Sequence, residues 1–314
     1  MQSDLLPMNA ATLMDRVFDV YKATFKFQMA FSIVVNIISI LFVFTLGIVF
    51  AMAIGVVANL LVFSDDFMVF VVLAVLVMIL PLYLIWTYFA TSGHILISKY
   101  AFFNEPVNLP MHDAFAALFR VIGATFAQII LSLPWLLIAG GAAYYLFLSL
   151  EYGLIYNAPT ALIVILVLAF VVSYLVYSNI FALLIPVAIF DKCTFFSAVA
   201  RSYQLIKENF WRILGLRLLW FVLAFILSYS AQGLALLLLA ATTDFAGENL
   251  SVLYFFLASG TLQLYVSLFV GLLIQPIDGI LTALIYFNQR IKKEGFDIFV
   301  ALMRLKRKDT GIVQ

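Results

Sequence analysis

Read for hydrophobic and polar positions, the chain is a succession of long apolar runs separated by short charged segments. Charge-free windows cover residues 27–64, 67–98, 121–150, 152–190, 218–243 and 249–277, and the last continues past Asp278 to Gln289. A membrane-spanning helix needs about 20 mostly apolar residues, so all six windows qualify. Runs such as Leu234 to Leu239 do not alternate, which argues against the strands of a membrane β-barrel. The pattern predicts an all-α polytopic membrane protein of six transmembrane helices, forming one membrane domain over residues 1–314. Several windows exceed 30 residues, which implies tilt, kinks, or ends lying among headgroups. Pro81, Pro134, Pro186 and Pro276 fall inside four of them, where packed neighbours can tolerate a broken backbone bond.

The segments preceding the helix pairs carry a different period. Leu13, Met14, Val17, Phe18, Tyr21 and Phe25 fall on one helical stripe, opposite Asp15, Arg16, Asp19, Lys22 and Lys26, with Asn9 placed as an N-cap. Phe195, Val199, Tyr203, Ile206 and Phe210 form a second stripe, against Arg201, Gln204, Glu208 and Arg212. Residues 8–27 and 194–212 therefore read as amphipathic helices lying in the headgroup plane. Tyr21 to Phe25 and Leu205 to Phe210 resemble one hinge used twice, and a fainter copy surrounds Phe115 to Arg120. The expected architecture is three repeats of interfacial amphipathic helix plus helical hairpin.

Charge placement adds orientation. Lys and Arg number 17, and all of them lie in the N-terminal segment, the second and fourth connections, and the tail 290–314. The three remaining connections hold only acids: Asp65 and Asp66, Glu151, then Asp244 and Glu248. By the positive-inside rule both termini face the cytoplasm. Composition agrees with a lipid environment, at 66% hydrophobic, 11% charged and a mean hydropathy of +1.16. A soluble domain carries about a quarter charged residues. Cys193 is the single cysteine, so no intrachain disulfide or cysteine-based metal cluster can form. The first apolar run is too long for a cleavable signal.

Three segments carry a resemblance to a known family. They are Asn9 to Phe25, then Ala200 to Gly215 (ARSYQLIKENFWRILG), then Tyr286 to Asp297 (YFNQRIKKEGFD). In order and spacing they resemble the bacterial family similar to the membrane domain of glycerophosphoryl diester phosphodiesterase. The family commonly has Asp where this chain has Asn288. The soluble catalytic domain of some relatives is not seen in this sequence. The resemblance implies a bacterial six-helix membrane protein and transfers no phosphodiesterase activity.

Catalytic machinery is not visible in the residues. His94 and His112 are the only histidines, and neither has a ligand or carboxylate at helical spacing. His94 reads as an interfacial residue and His112 as a solvated one. No G-x-S-x-G elbow or P-loop occurs. The polar residues within the windows are Asn36, Gln128, Asn179, Gln232, Gln263, Gln275 and Asp278. Interhelical hydrogen bonding is the expected use of most of them. Asp278, Gln275, Asn179 and Asn36 form the candidate intramembrane polar site. Asp278 lies 12 residues before Arg290, about 18 Å along a helix, hence near mid-membrane. Pro276 and Gly279 flank it. Arg304, Lys306, Arg307 and Lys308 are candidate contacts for anionic lipid.

The expected function is a non-enzymatic scaffold or accessory subunit at the bacterial cytoplasmic membrane. Its partners would be the lipid bilayer, other membrane proteins or further copies of itself, with no cofactor and no nucleic acid. The competing expectation is a permease or channel-like translocator of a small solute or lipid, which requires a polar path reaching Asp278.

Overall fold

The computed structural model describes residues 7–60, 86–103, 111–151, 160–246 and 252–295. Every regular element among them is helical: α1 Ala10–Leu60, α2 86–103, α3 Met111–Glu151, α4 Thr160–Asn179, α5 Leu184–Phe190, α6 Phe195–Ile206, α7 Phe210–Ala246 and α8 Val252–Glu294. A 3-10 turn, Lys207–Asn209, joins α6 to α7. Five helical stretches among the described residues are long and apolar enough to cross a membrane. The second expected span falls mostly on residues 61–85, outside the described ones, and α2 forms its end. Helices are the form such sequences must take in lipid, because every backbone polar group needs an internal partner there.

The first amphipathic segment is not a separate helix. It runs without interruption into the span, and α1 counts 51 residues, about 76 Å at 1.5 Å per residue. Its buried positions show why. Leu13, Val17, Val20, Thr24, Gln28, Phe31 and Val35 keep one spacing of three or four across the expected hinge. A stripe that never changes face gives the helix no reason to break. Phe18 and Phe25 stand beside this stripe and are exposed.

The fourth window breaks instead. α4 stops at Asn179, and bonds such as Ile180 N–H to the Tyr177 carbonyl (3.1 Å) tighten the chain into a 3-10 turn. α5 restarts at Leu184, which puts Pro186 in its first turn, where its missing N–H would have no helical partner. Asp191 then ends α5, its N–H bonded to the Val187 carbonyl at 3.0 Å. After a turn through Lys192, in the left-handed region at φ 56°, Thr194 starts α6. There the Thr194 N–H donates to Ser197 Oγ at 3.2 Å.

The chain forms two compact units. One comprises Ala11–Ala114 and Arg217–Leu281. Inside it α1 and α2 approach closely, since a Cβ on Gly93 would sit 2.0 Å from Phe31 Cζ. α8 approaches α2 in the same way, with a Gly279 Cβ position 2.6 Å from His94 Cβ. The other unit comprises Met1–Ala10, Phe115–Leu216 and Thr282–Gln314. Its α3 and α4 are joined by Trp135, stacked on Phe170 at 4.2 Å.

Both units contain a helix carrying an internal proline, and both treat it alike. A proline removes one intrahelical bond and crowds the carbonyls of the preceding turn. Tyr21 of α1 donates its hydroxyl to the Leu273 carbonyl (3.2 Å), three residues before Pro276. Tyr177 of α4 donates to the Leu131 carbonyl, three residues before Pro134. Neighbouring helices thus supply donors where the helix itself is irregular.

Candidate functional site

The densest polar structure lies at the end of the helices where Lys and Arg collect. On α8, Tyr286, Arg290 and Glu294 follow one another at i, i+4 and i+8 and share a face. Opposite them stand Asp191, just past α5, and Arg201 on α6. The Asp191 carboxylate accepts from Arg201 Nε (3.2 Å) on Oδ2, and from Tyr286 Oη (2.7 Å) and Arg290 Nη1 (3.2 Å) on Oδ1. Glu294 accepts from Arg290 Nε at 2.9 Å and from the Arg201 guanidinium. Asp191, Arg201, Glu294 and Arg290 therefore close a ring of alternating charge.

Such a ring suits a partly buried place. Taking ions out of water is costly, and attraction offsets the cost only when each member is paired. The Asp191 side chain is 12% exposed and that of Arg290 21%, yet each carboxylate oxygen meets a guanidinium. Phe190 packs on Tyr286 and Phe287, with ring centroids 5.4 and 5.1 Å away, and shields the ring from one side.

Further bonds tie the same segments. Lys293 pairs with Glu208 at 3.3 Å and donates to the Gln204 carbonyl at 2.7 Å. Asn209 donates to Gln289 Oε1 at 2.9 Å. The peptide of Met8 is held by Asn288 through two bonds, Met8 N–H to Oδ1 (2.9 Å) and Nδ2 to the Met8 carbonyl (3.2 Å). That carbonyl also accepts from Lys292 Nζ (3.1 Å) and Arg212 Nη2 (3.4 Å). Asn288, the departure from the family pattern, here uses both the donor and the acceptor of an amide. An ionised Asp would keep the acceptor alone.

The candidate intramembrane residues are placed as follows. Asp278 is exposed on α8, with Gln275 half-buried one turn earlier. Asn36 uses its amide on the Ser32 carbonyl of its own helix at 2.8 Å. No hydrogen bond joins Asn36, Gln275 and Asp278. Asn179 belongs to the other unit, where it is buried and donates to the Phe210 carbonyl at 3.2 Å while its Oδ1 finds no partner among the described residues. Arg304, Lys306, Arg307 and Lys308 lie outside the described residues.

His94 is fully buried in protein rather than facing headgroups. Its Nδ1 is 2.6 Å from Gln28 Oε1 and its Nε2 3.4 Å from Ser32 Oγ, while Gln28 Nε2 donates to the His94 carbonyl at 3.3 Å. These partners suit a neutral ring with the proton on Nδ1. The sequence offered one signal for the cluster: Gln28 and Ser32 are polar at i and i+4 on the buried stripe of α1.

Membrane-length apolar helices with polar groups gathered at one end define a polytopic all-helical integral membrane protein. Residues 152–308 match the family described as the membrane domain of glycerophosphoryl diester phosphodiesterase. The match spans half of the chain, and the protein belongs to this family. The matched region holds Asp191, Arg201, Tyr286, Arg290 and Glu294, so it contains the whole charge ring. No curated protein and no solved structure matches the chain.

Proposed function

We propose that the protein is a non-enzymatic scaffold or accessory subunit of the bacterial cytoplasmic membrane, organising lipid or partner proteins, with both termini cytoplasmic. The charge ring carries this reading. Within the family-matched region Asp191, Arg201, Arg290 and Glu294 are committed to one another, in a geometry that fixes helices rather than opening a reactive centre. The family match to a membrane domain supports it. The test is extraction of the protein from native membranes in lipid nanodiscs, followed by native mass spectrometry. A stoichiometric partner or a defined homo-oligomer is expected. A lone monomer that releases alcohol from glycerophosphodiesters would overturn the reading.

One observation favours a translocator instead: Asp278 is an acid on a spanning helix, with Gln275 one turn before it. Intramembrane acids commonly mark ion or proton paths. Under the scaffold reading, proteoliposomes holding a pH dye leak protons no faster than empty vesicles, and Asp278→Asn changes nothing. A leak that Asp278→Asn abolishes would establish the translocator.

A further inference from the structure

Several cations at the corner of α6, α7 and α8 outnumber the acids around them. Arg212 and Lys292 both point at the neutral Met8 carbonyl and lie near enough to repel each other. Neither is ion-paired among the described residues. The side chain of Lys207, exposed on the 3-10 turn, has no hydrogen-bond or ion-pair partner among them either. Beside them opens a depression of about 530 Å³, lined by Arg201, Gln204, Lys207, Glu208, Lys292 and Lys293 among others. Two like charges converging on a carbonyl are under-neutralised, and an anion relieves that at little reorganisation.

The surroundings say which anion. α6 and the start of α7 expose Phe195, Phe196, Tyr203 and, most of all, Trp211 at 75%. Amphipathic aromatic rings belong at the level of lipid headgroups. Trp211 adjoins Arg212 in sequence, so a headgroup-depth anchor and an unneutralised cation come from the same turn. We infer that this corner binds the phosphate of an anionic membrane phospholipid, held by Arg212, Lys292 and Lys207, with its acyl chains along the Trp211 and Tyr203 edge. The site is separate from the basic tail. It needs only that this end of the helices meets headgroups, so it stands or falls independently of the choice between scaffold and translocator.

The experiment uses the full chain in phosphatidylcholine nanodiscs, doped with brominated phosphatidylglycerol or, in parallel, brominated phosphatidylcholine. Bromine quenches nearby tryptophan, and the part lost in Trp211→Phe reports this corner. The anionic lipid is expected to quench Trp211 at several-fold lower mole fraction than the zwitterionic one. Lys207→Gln should raise the required fraction about fivefold, the effect of about one surface charge. Lys292→Gln, which keeps a donor for Met8, should do the same. Equal quenching by both lipids would overturn the proposal, as would titrations unchanged in both variants. Displacement of the lipid by millimolar inorganic phosphate would assign the site to a soluble anion and overturn it too.

Discussion

Replacing Asp191 with Asn keeps the shape of the side chain and removes the charge on which the ring closes. Three donors converge on this carboxylate: Arg201 at 3.2 Å, Tyr286 at 2.7 Å and Arg290 at 3.2 Å. Removing one partner of a buried ion pair costs about 3–5 kcal/mol, because the other charge stays behind. Here water retains some access, since the Arg201 side chain is 31% exposed. Glu294 also continues to hold both guanidiniums. The expected loss is therefore about 2–3 kcal/mol, discounted for that screening. At about 2–4 °C per kcal/mol for a chain of this size class, the melting temperature should fall by about 4–12 °C. The assay is thermal unfolding of purified protein in detergent, followed by tryptophan fluorescence. Asp19→Asn, exposed on α1, serves as control and should stay within about 0.5 kcal/mol of the parent. A double-mutant cycle with Arg201→Gln should show the double variant less damaged than the two single effects summed. A melting temperature for Asp191→Asn within a degree of the parent would refute the ring as a stabilising element. So would strict additivity in the cycle.

Other outcomes follow from the same coordinates. Gly279→Ala places a methyl 2.6 Å from His94 Cβ and should cost about 1–3 kcal/mol in the same melt. Gly215→Ala, which meets open space, should be neutral or gain up to about 1 kcal/mol from helix propensity; equal effects at the two sites would contradict the packing of α8 on α2. Tyr21→Phe and Tyr177→Phe should each lose about 0.6 kcal/mol, the usual size of an interhelical hydrogen bond in lipid, and amide exchange should quicken around Leu273 and Leu131; unaltered exchange would mean that the proline turns need no outside donor. With both termini cytoplasmic, an impermeant thiol reagent should label Cys193 in inverted vesicles and not in intact cells, and labelling from outside would reverse the topology.

The helices were legible because lipid leaves the backbone no alternative, and apolar windows alone locate them. Their interruptions were less so. Pro186 marked the fourth window as irregular, but the break point at Asn179 depends on where α5 can restart with the proline in its first turn. The hinge expected at Tyr21 to Phe25 was inferred from its likeness to Leu205 to Phe210. The structure decides by the buried stripe from Leu13 to Val35, which the charges do not show. At Lys207–Asn209 a short 3-10 segment does separate two helices, and Asn209 is tied there to Gln289, 80 residues away. The charge ring was half visible. Arg201, Tyr286, Arg290 and Glu294 lay in segments that carried the family resemblance, but Asp191 lies outside all three. Its pairing with residues about a hundred positions later is a tertiary fact with no local period. His94 failed as a sequence reading for the same reason, since its partners Gln28 and Ser32 come from a different helix.

The ring also imposes an order in time. Asp191 and Arg201 emerge from the ribosome together, but Tyr286 follows Asp191 by 95 residues and Glu294 follows Arg201 by 93. At about 5–20 residues per second, the first two wait about 5–20 s for the rest. The Met8 peptide waits longer still, 280 residues for Asn288. During that interval Asp191 has one guanidinium where it will have two, and the Met8 carbonyl lacks Asn288 and Lys292. A nascent chain stalled before Tyr286 therefore presents unsatisfied polar groups, in the form that membrane chaperones and proteases can recognise, and translation of the end of α8 withdraws them.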